Sequence, residues 1–134
     1  MADLTITAAD VEFGNSRQRF STVQAGEAMT AGQVCYLHTD GKYYKAVATS
    51  EAAAAVAGVV MKDVSLDGYF PLGNQLEIVS GGTMVKGEYY FVSATAGAVC
   101  PHDDLVSTNY VSRVYFAETT TSAILDLKAT GVTI

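Results

Sequence analysis

The sequence predicts an all-β fold, a small β-barrel or sandwich with one short helix and an extended N-terminal arm. Two residues, Asp40 and Gly41, lie between β-rich runs at residues 33–38 and 42–47. An Asp-Gly pair between such runs is the strongest short-range signal of a hairpin, because a type I′ turn requires positive φ at both central positions. About ten short apolar runs, separated by turn residues roughly every 8–12 positions, have the spacing of a sandwich or a small barrel.

The first segment of the chain alternates polar and apolar residues from residue 3 to residue 7, and it precedes any turn that would pair it locally. We therefore assign residues 1–16 to an extended arm and residues 17–134 to a single β-barrel-like domain. An unpaired strand is a template for addition to the sheet edge of another chain. We expect the arm to hold subunits together or to bind a larger partner, through an interface that comprises Leu4, Ile6, Val11, Phe13, Arg17 and Arg19.

Residues 19–24 are the first predicted strand of the domain, and the hairpin follows. Beyond the hairpin, Ser50 and a glutamate precede four alanines. Serine is a favourable N-cap, glutamate suits the first turn and alanine has the highest helix propensity, so the pattern predicts a short helix between Ser50 and Ala57. A loop of alanines is the alternative. The apolar run at residues 56–64 then predicts a core strand, with Gly58 at a bulge or a site of close packing.

The second half of the chain alternates short strands with turns. Strands are predicted at residues 75–80, 83–85, 88–93, 110–118 and 122–128, with a strand stub at residues 98–100. Turn signals, including residues 71–74, flank a short segment at Tyr69 and Phe70. Residues 102–109 are predicted to form a polar surface loop.

The core is predicted from the apolar positions of these strands. In adjacent tyrosines such as Tyr89 and Tyr90, the side chains point to opposite faces, so one of the two is expected in the core and the other at the rim. The predicted core comprises Phe20, Val34, Tyr36, Val59, Val60, Ile78, Tyr90, Val92, Val114, Phe116, Ile124 and Leu125.

Composition narrows the classes of function. The 134 residues suit one domain, and the charged fraction of 16% is low, against about 25% in typical domains. The net charge is −6 and the cations are scattered, which argues against a nucleic-acid partner. No apolar stretch reaches the roughly 18 residues of a membrane span, and the acidic, alternating start is not expected to be a targeting peptide. Cys35 and Cys100 lie in apolar runs and are expected to be free, buried thiols.

The sequence offers no convincing catalytic centre. His102, Asp103 and Asp104 are consecutive, and consecutive loop residues rarely converge on one metal ion, so a solvated acidic loop is the preferred interpretation. His38 is expected to flank the hairpin turn. Neither histidine lies in an activated-serine motif, and the glycine pairs do not open a phosphate-binding helix. We therefore expect no enzyme, no catalytic residue, no cofactor and no bound metal.

Residues 25–61 carry the most informative series of motifs. They are an AGE opening followed by TAG and a tyrosine at residues 25–36, a DGKYYKA turn at 40–46, an alanine-rich helix at 51–56 and a glycine-containing strand at 57–61. In this order they resemble the capsid cement, or head decoration, proteins of tailed bacteriophages. A glycine-bounded hairpin at residues 79–97, a closing strand pair at 111–127 and the opening ADLTITAADV extend the resemblance over nearly the whole chain. One departure is at residues 113–117, RVYFA, where members of the family often have a glycine.

The resemblance implies a structural virion protein that binds the outer surface of a phage capsid and stabilises the expanded shell by bridging major capsid protein subunits. It also implies self-association, as a homotrimer or alternatively a dimer, synthesis in the host bacterial cytoplasm and a final location on the capsid exterior. It implies no nucleic-acid or membrane partner. Another virion component, such as a fibre-base or glycan-recognising adhesion module, is the alternative, and a small enzyme or cellular β-domain is a third possibility.

Overall fold

The computed structural model describes residues 3–14, 21–75 and 77–134. In these residues the chain is mainly β, as predicted. The strands are β1 (Glu12–Phe13), β2 (Ser21–Gln24), β3 (Val34–Leu37), β4 (Tyr43–Lys45), β5 (Val56–Val60), β6 (Tyr69–Gly73), β7 (Glu77–Val79), β8 (Tyr89–Val92), β9 (Val99–Pro101), β10 (Tyr110–Ala117) and β11 (Ser122–Thr133). One α-helix, α1 (Glu51–Ala54), lies between β4 and β5, and 3-10 turns occupy Ala8–Asp10 and His102–Asp104.

The strands form two antiparallel sheets. The six-stranded sheet has the order β1-β7-β11-β10-β8-β9, and the five-stranded sheet has the order β2-β6-β5-β3-β4. The main core contains buried residues of both sheets, among them Val34 and Val59 from the five-stranded sheet and Ile78, Val92 and Val114 from the six-stranded sheet. The architecture is therefore a sandwich, and the predicted alternative of a closed barrel is not adopted.

The five-stranded sheet also buries side chains on its other face. Adjacent strand residues point to opposite faces, and Val34 belongs to the main core whereas Cys35 belongs to a second cluster. The second cluster comprises Ala25, Met29, Cys35, Val60, Phe70 and Leu72. An isolated parallel bridge joins Ala25, just after β2, to Tyr43 in β4. The bridge thus links the region of the two edge strands, β2 and β4, beside the second cluster, but these strands form no continuous ladder with each other.

The hairpin between β3 and β4 is confirmed, but its turn is not the predicted type I′. The His38 N–H donates to the Lys42 carbonyl at 2.9 Å, and the Gly41 N–H donates to the His38 carbonyl at 3.0 Å. The loop thus has three residues, and of these only Gly41 has positive φ, at 85°. A three-residue hairpin loop commonly combines a type I turn with a left-handed residue. The turn type was mispredicted because Thr39 also belongs to the loop.

The predicted short helix is confirmed. The Ser50 hydroxyl accepts from the Ala53 N–H at 3.2 Å, so this serine is the N-cap. Ala53 and Ala54 are buried, which shows that tertiary packing stabilises a helix too short to persist alone. No helix within the described part of the chain has the length and apolar character needed to cross a membrane.

Three strand predictions differ from the structure. Strand β6 continues through residues predicted as a turn, because Pro71 pairs with Thr22 and its carbonyl accepts from the Met61 N–H. Residues 83–85 form no ladder, and the Val85 N–H instead donates to the Tyr90 hydroxyl. Strand β11 extends five residues past its predicted end at residue 128, to Thr133.

Most of the predicted core is buried. Val34, Val59, Val60, Ile78, Tyr90, Val92, Val114 and Leu125 are confirmed. Ile124 is wrong, since it is 40% exposed. It precedes the buried Leu125 in one strand, and neighbouring strand residues cannot both face the same side. Tyr36 and Phe116 are half-buried, and Phe20 lies outside the described residues.

Candidate protein-interaction surface

The predicted N-terminal interface residues pack on their own domain. The Leu4 N–H donates to the Val99 carbonyl at 2.9 Å, and β1 pairs with β7 through Phe13 and Ile78. Val11 is buried in the main core, and Leu4, Ile6 and Phe13 pack against it. The described part of this segment is therefore paired within its own chain, and its role at an interface stays a prediction. The predicted interface residues Arg17 and Arg19 lie outside the described residues.

Two glycines make this packing possible. A Cβ on Gly81 would lie 2.7 Å from the Thr7 carbonyl oxygen, and a Cβ on Gly82 would lie 2.6 Å from the Thr5 carbonyl oxygen. The Thr7 N–H also donates to the Gly81 carbonyl at 2.8 Å. The loop after β7 and the N-terminal segment thus approach backbone to backbone, at a distance that side chains would prevent.

An open groove of about 720 Å³ runs beside the N-terminal segment. Two of its polar lining groups already have partners, since Asp3 accepts from the Ser93 hydroxyl at 2.6 Å and the Tyr90 hydroxyl accepts from the Val85 N–H at 2.9 Å. Its described lining residues include Asp3 and Asp10 but no basic side chain. The groove therefore presents two carboxylates beside the N-terminal segment, and that of Asp3 is already engaged in a hydrogen bond.

The outer face of the six-stranded sheet, turned away from the main core, carries an apolar row made of Tyr89, Phe116 and Ile124. Phe116 is the direct cross-strand neighbour of both Tyr89 and Ile124. The centroids of the Tyr89 and Phe116 rings are 4.9 Å apart. Tyr89 is 39% exposed and Ile124 is 40% exposed. A half-exposed apolar row across three strands is a surface suited to contact with another protein.

Charged side chains border the apolar row. Arg113 makes an ion pair with Asp126 at 3.0 Å, and its guanidinium carbon lies 4.8 Å from the centroid of the Tyr89 ring. Lys128 is directly opposite Arg113 on the neighbouring strand. The face therefore combines aromatic surface with an ordered arginine, a composition that is enriched in protein interfaces.

At the other end of the row is a pair of carboxyl groups. Glu77 lies directly opposite Ile124. A hydrogen bond with Glu118, followed by the charge of that residue, raises the pKa of Glu77. A hydrogen bond between two carboxyl groups requires a proton, so this exposed pair favours the protonated state of one member.

The β3–β4 hairpin carries an ordered polar network. Asp40 accepts from the Tyr44 hydroxyl at 2.6 Å and from the Lys42 N–H at 2.9 Å, and these bonds, that from Tyr44 first, lower the pKa of Asp40. His38 Nδ1 lies 3.7 Å from Asp40. Lys42 pairs with Asp67 at 2.7 Å. These contacts hold the turn, and His38 flanks the hairpin as predicted.

One group of potential metal ligands forms among the described residues. Atoms of Asp3, Cys100 and Asp104 lie within 4.8 Å of one another. Burial raises the pKa of Cys100 to about 12, and the nearby Asp3 and Asp104 charges act in the same direction. A metal binds the thiolate, whereas in the metal-free protein this environment favours the protonated thiol. His102 packs edge-on against Phe91, with ring centroids 5.5 Å apart.

Both cysteines are free and buried, as predicted. Cys35 lies in the second cluster and Cys100 in the main core. Burial raises the pKa of Cys35 to about 12 as well. Neither thiol has the exposed, electropositive surroundings of a reactive cysteine.

A comparison with models of known protein families finds no match, and a comparison with curated proteins finds none either. The apolar row and its ion pair were not anticipated from the sequence. The alternation in β8 and β10 could have placed Tyr89 and Arg113 outside the core. Their proximity to Ile124 and Asp126 depends on strand register, for which the sequence contained no local signal.

Proposed function

We propose that this chain is a structural virion protein that binds the outer surface of a tailed-phage capsid and stabilises the expanded shell by bridging major capsid protein subunits. The observation that carries this proposal is the ordered series of motifs in residues 25–61. Localisation on the capsid exterior and self-association, as a homotrimer or a dimer, belong to the same proposal.

Contacts between separate motifs support the view that they form one unit. A Cβ on Gly26, in the AGE opening, would lie 2.2 Å from Cζ of Tyr44, in the DGKYYKA turn. The Glu27 carboxylate accepts from the Lys45 N–H at 2.9 Å. Residues that are far apart in the series therefore constrain one another, which is a physical reason for them to occur together.

The mechanism that we propose is stabilisation by mass action. A protein that binds only the expanded shell lowers the free energy of that state, by about 2.7 kcal/mol per site at a free concentration one hundred times Kd. We assign the capsid contact to the apolar row, because Tyr89, Phe116 and Ile124 are neighbours that leave apolar area exposed on the outer face of the six-stranded sheet. No cofactor or metal takes part in this mechanism.

The test is binding to purified expanded capsids of the phage that encodes the chain. We expect saturable co-sedimentation and a higher temperature of capsid disruption. Phe116→Asp should weaken binding at least tenfold, about 1.4 kcal/mol. Tyr69→Asp is the matched control, since Tyr69 is 68% exposed and lies on the five-stranded sheet. Absence of saturable binding by the wild-type chain would refute the capsid function, and equal effects of both substitutions would refute the assigned surface.

A specific observation favours a second candidate, a glycan-recognising adhesion module. Tyr36, His38 and Tyr44 form an aromatic group beside the hairpin turn, with ring centroids 5.2–6.2 Å apart. Asp40 adds a carboxylate next to these rings. Aromatic rings with adjacent hydrogen-bonding groups suit the apolar faces and hydroxyls of sugars. Binding to immobilised bacterial surface glycans that is lost in Tyr44→Ala would favour this candidate over capsid binding.

A further inference from the structure

Among the described residues, the last part of strand β11 has a partner strand on one side only. Strand β7 pairs with β11 at Ser122, Ala123 and Ile124. Past Ile124, among residues 3–14, 21–75 and 77–134, β11 is paired with β10 alone. No described residue pairs with residues 125–129 on the β7 side, and we call this stretch the β11 edge. An unpaired edge is a template for pairing with another strand.

The β11 edge is regular over a short, defined length. Leu125 is buried, Asp126 and Leu127 are half-buried and Lys128 is exposed. Leu125 and Leu127 pack with the main core, whereas Asp126 and Lys128 lie on the outer face, where they meet Arg113. The side chains thus alternate as in a normal strand, although the register with β10 shifts by one residue in this region.

A bulge ends the regular edge. Ser112 pairs with Ala129 and Tyr110 pairs with Thr133, so three residues of β11 oppose one residue of β10. Gly131 in this bulge has a φ of 69°, and the Thr130 hydroxyl donates to the Val111 carbonyl at 2.6 Å. The edge available to a partner therefore runs from the end of the β7 ladder to Ala129, with Leu127 at its centre.

The charges on this edge are unbalanced within one chain. Arg113 and Lys128 are direct cross-strand neighbours of like charge, an arrangement that destabilises a sheet. Asp126 neutralises Arg113 at 3.0 Å. In the described part of the chain no ion pair neutralises Lys128. A carboxylate from outside the chain would complete the pattern.

We propose that the β11 edge binds the β11 edge of a second copy of this chain, antiparallel and about a twofold axis at Leu127. In that register Asp126 of each copy lies directly opposite Lys128 of the other, and the two Leu127 side chains meet on the axis. Directly opposed residues have Cβ atoms about 4.5–5.5 Å apart, which is within reach of an ion pair. The contact is isologous and closes at two subunits.

The length of the edge explains where the ladder stops. In this register Leu125 of one copy lies opposite Ala129 of the other. One residue further, Thr130 would lie opposite Ile124, which already pairs with Glu77 of β7 on that side. The bulge turns the strand away at that same point. The dimer joins the two six-stranded sheets into one continuous sheet. Because this contact closes at two subunits, the proposal specifies a dimer and not a trimer for the free chain.

The first test is the association of the purified full-length chain by sedimentation equilibrium. A single short ladder buries less area than a standard interface, so we expect a dimer with Kd in the micromolar range or weaker. Lys128→Asp and Asp126→Lys should each weaken the dimer at least tenfold, and the double exchange Asp126→Lys with Lys128→Asp should recover most of this loss. Lys62→Asp, an equal charge change at an exposed site before β6, is the control, and circular dichroism checks folding.

The second test does not depend on charge variants. In the variant Leu127→Cys the two new cysteines meet on the axis, so an intermolecular disulfide should form rapidly under mild oxidation. The native cysteines are both buried and should not compete. Val132→Cys, at a position 62% exposed but beyond the bulge, should cross-link much more slowly. A chain that stays monomeric up to about 1 mM, a trimer, no recovery in the double exchange, or equal cross-linking at both positions would each overturn the proposal. The purified chain suffices for both tests, so their outcome is independent of capsid binding.

Discussion

The rings of Tyr90 and Tyr115 pack together in the main core with their centroids 5.9 Å apart, yet only one of the two hydroxyls has a hydrogen-bond partner among the described residues. The Tyr90 hydroxyl accepts from the Val85 N–H. The Tyr115 side chain is 1% exposed, and burial raises the pKa of its hydroxyl. Of two tyrosines that pack together in one core, one thus has a hydrogen-bonded hydroxyl, and the other has a buried hydroxyl with no partner among the described residues.

We predict that Tyr115→Phe stabilises the protein. Removing a buried hydroxyl that has no partner relieves its desolvation cost, so the free energy of unfolding should rise by about 1 kcal/mol. Tyr90→Phe should lower it by about 1 kcal/mol, because the hydrogen bond to the Val85 N–H is lost. Urea denaturation measures both changes. A destabilised Tyr115→Phe would show that the hydroxyl has a partner.

We predict that Gly81→Ala is more destabilising than Gly87→Ala. Both glycines have positive φ, 84° and 88°, where alanine costs about 1–2 kcal/mol. Only at Gly81 would the new Cβ also meet the Thr7 backbone, whereas at Gly87 nothing lies within 4 Å. Overpacking should add about 1–3 kcal/mol at Gly81. Equal losses in thermal denaturation would contradict close packing of the N-terminal segment.

We predict that Gly26 and Tyr44 are energetically coupled. Gly26→Ala places a methyl group inside the volume of the Tyr44 ring and should cost about 1–3 kcal/mol. In a Tyr44→Ala background the same substitution should cost much less, because the ring is gone. A double-mutant cycle from chemical denaturation measures the coupling, and additive effects would show that the loop moves aside freely.

We predict that the Glu77–Glu118 pair makes the protein less stable as pH rises. The pKa of Glu77 is raised in the folded state, so the contribution of the pair is fully present below the unfolded pKa and is lost as pH rises through the folded pKa. Asp40, whose pKa is lowered, acts in the opposite sense, with stability lost as pH falls. The measurement is therefore the difference in unfolding free energy between wild type and Glu118→Gln from about pH 4 to about pH 7. As pH rises, the wild type should lose unfolding free energy relative to Glu118→Gln. A difference that stays constant with pH would contradict a shared proton.

We predict that neither cysteine reacts with thiol reagents in the native protein at neutral pH. Both are buried, and burial raises the pKa of each thiol to about 12. After unfolding without reductant, both should be titrated. A peptide map that shows Cys35 linked to Cys100, or rapid labelling of the native chain, would contradict this prediction.

The candidate surface was only partly predictable. The tyrosine pair at the start of β8 was expected to split between core and rim, and Tyr90 is buried while Tyr89 is 39% exposed. Leu4, Ile6, Val11 and Phe13 pack on the core of their own chain, and their role at an interface stays a prediction. The resemblance to capsid decoration proteins suggested a binding role, but it contained no information about which face of the sheet was available.

The sequence by itself determined the features that depend on neighbouring residues: the predominance of strands, the hairpin at Gly41 and the helix capped by Ser50. Their signals act within a few positions, through φ preferences, capping and side-chain alternation. Only the tertiary structure decided that β1 pairs with β7 and that Ile124 faces outwards. These outcomes depend on register and on contacts between residues far apart in the chain, and a shift of one position exchanges the two faces of a strand.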